Sequence, residues 1–258
     1  MARHESLLPR EHGAYAEIAF PLLTGLTLGR PSLAATSIAI AATAFFLMHE
    51  PVAVLVGVRG ARGKELWGDR ARGRVIWLAI VGVVAGTAAV VLAPSAARLA
   101  LLMPLGVGAV LLPAFLSGRL KTLAAEVLVI AALSATILPM AVSSGVEWSR
   151  AWVAVLVWFV AFLIGTLAVH AIKAKTGKSV GTKWAIAATP LLSALTGAFG
   201  LFTAFTGRLP LTVSLAITLA GIVGVVSSIT PIHPRQLKRV GWMFVVWNTI
   251  TWALLIIG

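Results

Sequence analysis

The chain repeats one feature from end to end: apolar stretches of about 20 residues, separated by short connections that contain polar residues, glycine or proline. Stretches of that length match a bilayer as α-helices, whereas membrane β-barrel strands would be about 10 residues long with alternating polarity. Nine helices are predicted near residues 12–29, 32–56, 74–93, 97–116, 122–143, 149–172, 184–205, 210–230 and 239–257. The sequence therefore predicts an all-α polytopic membrane protein, with residues 1–258 forming a single transmembrane domain.

Composition excludes several classes of protein. Hydrophobic residues make up 59% of the chain and charged residues only 11%, whereas a soluble domain carries about 25% charged residues. The chain has no cysteine, so disulfides, thiolate metal sites and cysteine nucleophiles are excluded. We expect the net charge of +13 to reflect cytoplasmic connections rather than nucleic-acid binding, because no soluble domain is left to contact a nucleic acid.

The distribution of lysine and arginine predicts the orientation in the membrane. With the N-terminus placed in the cytoplasm, 17 of the 21 basic residues fall in cytoplasmic segments, six of them in the connection at 59–74. The outer segments hold only Arg30, Arg98, Arg150 and Arg208. Because cytoplasmic connections of membrane proteins carry an excess of basic residues, we expect a multi-pass protein of the cell inner (cytoplasmic) membrane, with its N-terminus inside and its C-terminus outside.

Ionisable residues within or beside the predicted helices concentrate in the cytoplasmic half. Each costs roughly 2.5–3.5 kcal/mol at a helix centre on insertion scales, so it needs a partner or a function. We expect a cavity open to the cytoplasmic leaflet, lined by Glu11, His12, Glu17, His49, Glu50, Glu126 and His170. The side chains of His12, Glu50 and His170 would then lie within about 10 Å of one another. The alternative is that these groups reach the interface singly or interact with helix dipoles.

Two chemistries fit glutamates and histidines beside a basic surface. Oxygen and imidazole ligands can hold a divalent metal such as magnesium, with His49 and Glu50 as the ligands. Alternatively, lysines and arginines hold an anionic headgroup while a histidine or glutamate moves a proton. The candidate catalytic residues are His12, Glu17, His49 and Glu50. The candidate substrate-binding residues are Arg10, Glu11, Tyr15, Arg119, Lys121, Glu126, His170 and Lys173.

Two features resemble known families. The segment "PREHGAYA" at 9–16 resembles the opening motif of the YwiC-like membrane proteins, in which a proline and an acidic or amide residue precede His-Gly-Ala and an aromatic residue. Nine helices with an inner N-terminus, together with "RLKTLAAEVLVIAALSATILPM" at 119–140, are similar to the UbiA prenyltransferase superfamily. That second resemblance implies a UbiA-like bundle and a prenyltransferase-related enzyme.

The chain departs from the UbiA pattern at the metal-binding positions. UbiA-type enzymes carry aspartate-rich motifs at the ends of helices 2 and 6, where the aspartates hold Mg²⁺ on a prenyl diphosphate. At the matching places this chain has His49-Glu50 and His170 with Lys173, and its one aspartate, Asp69, falls in a predicted loop. Lysines and arginines can hold a diphosphate directly, or the substrate lacks a diphosphate.

The leading functional prediction is an integral membrane protein that binds and transforms an amphipathic anionic substrate, such as an isoprenoid phosphate or a quinone precursor. Two alternatives stay open: a secondary transporter with a Glu/His proton or cation relay, and a non-catalytic membrane assembly factor. Broken helices at matched positions would favour transport; Pro51 indicates a break in predicted helix 2, but predicted helix 6 has no proline to match it. The bilayer and a lipid-like substrate are the expected partners, and the sequence leaves the oligomeric state open.

Overall fold

A computed structural model describes residues 7–8, 12–175, 183–230 and 237–258, and all regular structure within these ranges is α-helical. The helices are α1 (His12–Thr27), α2 (Leu33–Leu55), α3 (Ala61–Leu92), α4 (Ser95–Leu116), α5 (Leu123–Ala135), α6 (Ile137–Ser143), α7 (Trp148–Lys175), α8 (Ala185–Thr206), α9 (Leu211–Ile229) and α10 (Leu237–Ile257). Counted with α5 and α6 as two parts of one helix, the described residues form nine helices, as predicted, while the crossing of the membrane by all nine stays a prediction. Most predicted boundaries agree within three residues.

Seven spans are long and apolar enough to cross a membrane, with α5 and α6 counted together as Leu123–Ser143. The remaining two are α1, which has 16 residues, and α10, which contains a shorter apolar stretch, Gly241–Ile257. A helix of 20 residues reaches about 30 Å, the thickness of the hydrocarbon core. The chain is therefore a multi-pass membrane protein, while the orientation of its termini stays a prediction.

The chain divides into two compact units, Met1–Trp152 and Val153–Gly258. The first unit contains α1 to α6, and the second contains α8 to α10 and most of α7. The expectation of a single transmembrane domain over 1–258 stays a prediction.

The core of the first unit joins helices that are distant in sequence. In this unit, α1 packs against α2, α5 and α6, while α4 packs against α5 and α6. Ile18 and Leu22 of α1 meet Ile38 of α2 and Met140 of α6. A Cβ added to Gly25 would lie only 2.8 Å from the Cβ of Met140. Because lipid tails are as apolar as leucine, such close packing is what holds membrane helices together.

Helix α3 corrects one prediction. The sequence predicts this helix from residue 74, but it begins at Ala61, so most of the connection expected at 59–74 is helical and Asp69 lies in a helix rather than a loop. Alanine, arginine, lysine, glutamate and leucine in this segment favour helix, whereas a hydropathy window detects only the apolar part. With 32 residues, α3 is about 48 Å long and exceeds the hydrocarbon core of about 30 Å.

The connection from α2 to α3 depends on two glycines. Gly57 and Gly60 both have a φ of 84°, a left-handed conformation that side-chain-bearing residues rarely adopt. Arg59 lies between them, and its backbone N–H donates to the carbonyl oxygen of Ala53 at 3.4 Å. The turn therefore directs Arg59 back toward the end of α2.

Pro139 accompanies a break in a helix, whereas Pro51 does not. Pro139 lies three residues after a break at Thr136, where the Thr136 N–H and Oγ1 both donate to the Leu133 carbonyl, at 3.2 and 2.6 Å. Since Pro139 has no N–H, it cannot donate to the carbonyl of Ala135, and this missing bond separates α5 from α6. Pro51, by contrast, lies inside α2, which continues past it. The predicted break in helix 2 is therefore wrong.

In the second unit, α8 and α9 approach closely enough to exclude side chains. A Cβ added to Gly221 would meet the backbone of Gly197 and would lie 2.6 Å from the Ser193 carbonyl oxygen. The hydroxyl of Thr203 donates to Ser214 Oγ at 3.0 Å, which joins the same two helices. Helix α10 packs against α9. Close packing of small residues and a hydrogen bond between hydroxyl groups thus hold α8 and α9 together.

Candidate functional site

A buried glutamate and an arginine form the polar centre of the first unit. Glu50, near the end of α2, is 7% exposed. Arg59 Nε donates to Glu50 Oε2 at 3.1 Å, and Arg59 Nη2 donates to Glu50 Oε1, so the pair is bidentate. The Arg59 side chain remains 36% exposed. A guanidinium has five N–H donors, so the two bonds to Glu50 leave three for another acceptor.

Four partly buried rings of the first unit form two contacting pairs; we call them the aromatic row, and they are Tyr15, Phe46, His49 and Phe115. Tyr15 of α1 meets Phe46 of α2 edge to face, with ring centroids 6.0 Å apart. His49 of α2 meets Phe115 of α4 with centroids 5.4 Å apart. Phe46, His49 and Glu50 share one face of α2, because residues three and four apart on a helix are neighbours. The row therefore joins three helices, and two of its rings lie on the turn of α2 that also carries Glu50.

The turn between α4 and α5 adds positive charge at the same end of the unit. A Cβ added to Gly118 of this turn would lie 3.3 Å from Val58 Cγ1, so the turn contacts the α2–α3 connection. Arg119 and Lys121 follow Gly118 and are exposed. The backbone N–H of Arg119 donates to the Ala114 carbonyl at 2.8 Å, which closes the end of α4. Two of the predicted substrate-binding residues thus lie on a turn that contacts the Arg59 turn.

The other candidate acids of the first unit lie on α1 and α5. Glu17 is partly buried in α1, two residues after Tyr15. Glu126 lies in the first turn of α5, where a negative charge is favoured by the helix dipole. Thr122 caps that helix by accepting a hydrogen bond from the Ala125 N–H at 3.4 Å. The position of Glu126 therefore has a structural explanation that needs no ligand.

Several candidates cannot be placed with this group. Arg10 and Glu11 lie outside the described residues, and for His12 the structure describes the backbone at the start of α1 but not the side chain. His170 is buried and Lys173 is partly buried, and both lie in α7 of the second unit. The convergence of His12, Glu50 and His170 stays a prediction.

The donor set around Glu50 does not fit magnesium. Among the described residues, no three histidine, aspartate or glutamate side chains group closely enough to hold a metal ion. His49 and Glu50 would supply two ligands, and the Arg59 guanidinium already contacts both oxygens of Glu50. Mg²⁺ requires near-octahedral oxygen ligands, and a bound cation would repel the arginine. The ion pair therefore argues against the expected metal ligation by His49 and Glu50, and a measurement of metal content tests it.

Sequence reasoning missed three residues that complete this group. In the sequence, Arg59 is one of the basic residues that predict the membrane orientation. Its position between Gly57 and Gly60 is the signal that could have indicated a turn back onto Glu50. Phe46 and Phe115 resembled any other apolar residue of a membrane helix, and nothing in their spacing distinguished them. Their significance depends on which helices lie side by side.

These features define a class: an all-α, multi-pass membrane protein whose first unit contains an aromatic row and an ion pair between a buried glutamate and a partly exposed arginine. The family model of the YwiC-like protein matches residues 8–142, from just before α1 to the end of α6. This is just over half of the chain, and the chain belongs to the YwiC-like family. No curated protein and no solved structure matches the chain. The YwiC-like resemblance is thus confirmed, while the UbiA-like bundle stays a prediction.

Proposed function

We propose that the first unit binds an amphipathic anion of the isoprenoid-phosphate or quinone-precursor type. The anionic group contacts Arg59, and the apolar or ring-bearing part lies against the aromatic row. The observation that carries this proposal is that the buried Glu50, on the turn of α2 that carries Phe46 and His49, holds a partly exposed arginine.

The charge arrangement supports an anion rather than a cation. The pair combines a buried carboxylate with an arginine that is 36% exposed, so the guanidinium is held in place and is still accessible. Glu50 fixes the orientation of the Arg59 guanidinium, whose free N–H groups match the oxygens of a phosphate or carboxylate. Arg119 and Lys121 add two exposed positive charges on the adjoining turn.

The aromatic row supports an amphipathic rather than a fully polar ligand. Tyr15, Phe46, His49 and Phe115 are each partly buried, so part of their ring surface stays accessible in the unit that contains the ion pair. Ring surface of this kind is suited to an isoprenoid chain or a quinone-like ring, and sites for such ligands are mostly apolar with few oriented polar groups. His49 is the ring in the row that can also exchange a proton, which suits the proposed transformation.

The bias in basic residues supports a position of this end at the cytoplasmic leaflet of the inner membrane, which is part of the proposal. A substrate there would enter from the inner leaflet with its anionic group toward the cytoplasm. We keep His12, Glu17, His49 and Glu50 as proposed catalytic residues, and Arg10, Glu11, Tyr15 and Glu126 as proposed substrate contacts besides Arg119 and Lys121. His170 and Lys173 belong to the second unit, and their part in substrate binding stays a prediction.

The test is identification of the lipids that copurify with the protein. The wild-type protein, Arg59→Gln and Arg208→Gln are purified in mild detergent, and their extracted lipids are compared by mass spectrometry. Arg208 is a matched control because it is also a basic residue beside a ring, lying 5.3 Å over Phe202 in the second unit. We expect an anionic, isoprenoid- or ring-bearing lipid to be enriched with the wild type and with Arg208→Gln, and to be depleted with Arg59→Gln.

Equal lipid content in all three proteins would contradict the proposal. A loss in Arg208→Gln as large as that in Arg59→Gln would also contradict it, since it would show that any missing surface charge has the same effect. A folded Arg59→Lys variant should retain an amount of this lipid between that of the wild type and that of Arg59→Gln. Lysine keeps the positive charge but lacks the planar set of donors of a guanidinium.

Transport is the second candidate, and the break between α5 and α6 favours it. Discontinuous membrane helices expose backbone groups that bind ions and substrates in secondary transporters. This break lies at Thr136, whose N–H bonds within the preceding turn. Uptake of the identified lipid or of protons by protein-containing vesicles would establish transport. A protein that binds the lipid but neither transports nor converts it would fit an assembly factor.

A further inference from the structure

Asn248 is the single asparagine of the chain, and it lies in the apolar helix α10 of the second unit. It is 7% exposed, and Thr251, one turn further along the same helix, is 3% exposed. An amide in a membrane helix is costly unless it finds hydrogen-bond partners. No hydrogen bond joins either side chain to another of the residues that the structure describes.

Both side chains line a small cavity among α7, α9 and α10. The cavity has a volume of about 10 Å³. Its lining residues are Ala161, Leu219, Ala220, Val223, Phe244, Trp247, Asn248 and Thr251. A cavity of about 10–15 Å³ holds one water molecule. A cavity lined only by apolar groups stays empty, whereas a cavity with polar groups in its lining is filled. The cavity therefore has room for one oxygen atom and two groups that can bond to it.

The lining contains no ionisable side chain, which identifies the occupant as neutral. Asn248 offers an amide donor and an acceptor, and Thr251 offers a hydroxyl that can do either. We propose that this cavity binds one neutral hydrogen-bonding oxygen, either of a water molecule or of a hydroxyl or carbonyl group on a lipid-soluble molecule. The site lies in the second unit and does not depend on the anion site proposed for the first.

The experiment is radiolytic hydroxyl-radical labelling, which modifies side chains next to bound water. The full-length protein is first exchanged extensively into fresh detergent to remove bound lipids. Trp247 lines the cavity, and Trp252 is an internal control because it lies on the same helix, is also partly buried and does not line the cavity. We expect Trp247 to be labelled at least about threefold faster than Trp252, because a bound water supplies radicals on site.

Two variants test the role of the polar pair. Asn248→Leu and Thr251→Val keep side-chain volume but remove hydrogen-bonding groups, so the labelling of Trp247 should fall toward that of Trp252 in each. Adding a short-chain benzoquinone distinguishes the two sources of oxygen: protection of Trp247 identifies a ligand carbonyl, and no protection identifies water. Labelling of Trp247 no faster than Trp252 in the wild type would overturn the proposal without any variant. Unchanged labelling in both folded variants would overturn it as well.

Discussion

Glu50→Gln and Arg59→Gln should each destabilise the protein, but by different amounts. The Glu50 side chain is 9% exposed and the Arg59 side chain is 36% exposed. Removing Arg59 leaves a buried carboxylate without its partner, whereas removing Glu50 leaves an arginine that can turn toward water. We therefore expect Arg59→Gln to lower stability more than Glu50→Gln does.

The magnitudes follow from this difference in burial. Removing one partner of a fully buried pair costs about 3–5 kcal/mol, whereas an exposed pair contributes about 0–1 kcal/mol. Arg59→Gln should cost about 3 kcal/mol and Glu50→Gln about 1 kcal/mol, because the arginine is only partly buried. For a chain of this size, these values correspond to a Tm lowered by about 8 °C and about 3 °C.

Tryptophan fluorescence reports the unfolding transition, since the chain has nine tryptophans. The double variant, Glu50→Gln with Arg59→Gln, should be more stable than Arg59→Gln alone, because no unpaired charge then remains. Arg208→Gln is the surface control and should change the Tm little. Equal effects of the two single variants, or a double variant that shows the sum of both losses, would refute the reasoning.

Three further predictions concern topology, packing and metal. Reporter fusions placed after Gly258 should be active outside the cytoplasm and fusions within 60–72 inside it; a cytoplasmic C-terminus would remove the nine-span model. Gly221→Ala should cost about 2 kcal/mol by thermal unfolding, because its Cβ meets the backbone of α8, whereas Gly86→Ala, which meets nothing within 4 Å, should not destabilise. Elemental analysis should find no stoichiometric divalent metal in the wild-type protein. Metal that is present in the wild type and absent from Glu50→Gln would instead show that Glu50 is a metal ligand, as the sequence predicted for His49 and Glu50.

The helical spans could be predicted because each one has a local signal. Hydropathy over a window of about 20 residues marks a helix whatever its neighbours are, and the predicted boundaries of α4 and α9 agree with the structure within two residues. The start of α3 could not be found in this way, because its first turns are polar and lie outside the apolar window. A proline gave no reliable guide either, since Pro51 leaves α2 intact while Pro139 accompanies a break.

The candidate site was only partly predictable for a related reason. Glu50 and His49 stand out in an apolar helix because a charge or an imidazole is costly there. Their partners do not stand out: Arg59 is one of six basic residues between positions 59 and 74, and Phe115 is one of ten phenylalanines. Which of these side chains meets α2 depends on the α2–α3 turn and on the position of α4. Those are tertiary features that a single sequence does not encode locally.

Ligand binding to the first unit is tested most directly by native mass spectrometry with two matched ligands, an isoprenoid monophosphate and the corresponding uncharged alcohol. Both share the same chain, so their difference in affinity isolates the anionic group. A hydrogen bond to a charged group contributes about 1.5–3 kcal/mol, so the wild type should bind the phosphate about tenfold or more tightly than the alcohol. Arg59→Gln, measured well below its Tm, should lose most of this preference, with Arg119 and Lys121 accounting for what is left. A wild-type protein without preference for the phosphate, or a preference that survives undiminished in Arg59→Gln, would contradict anion recognition by Arg59.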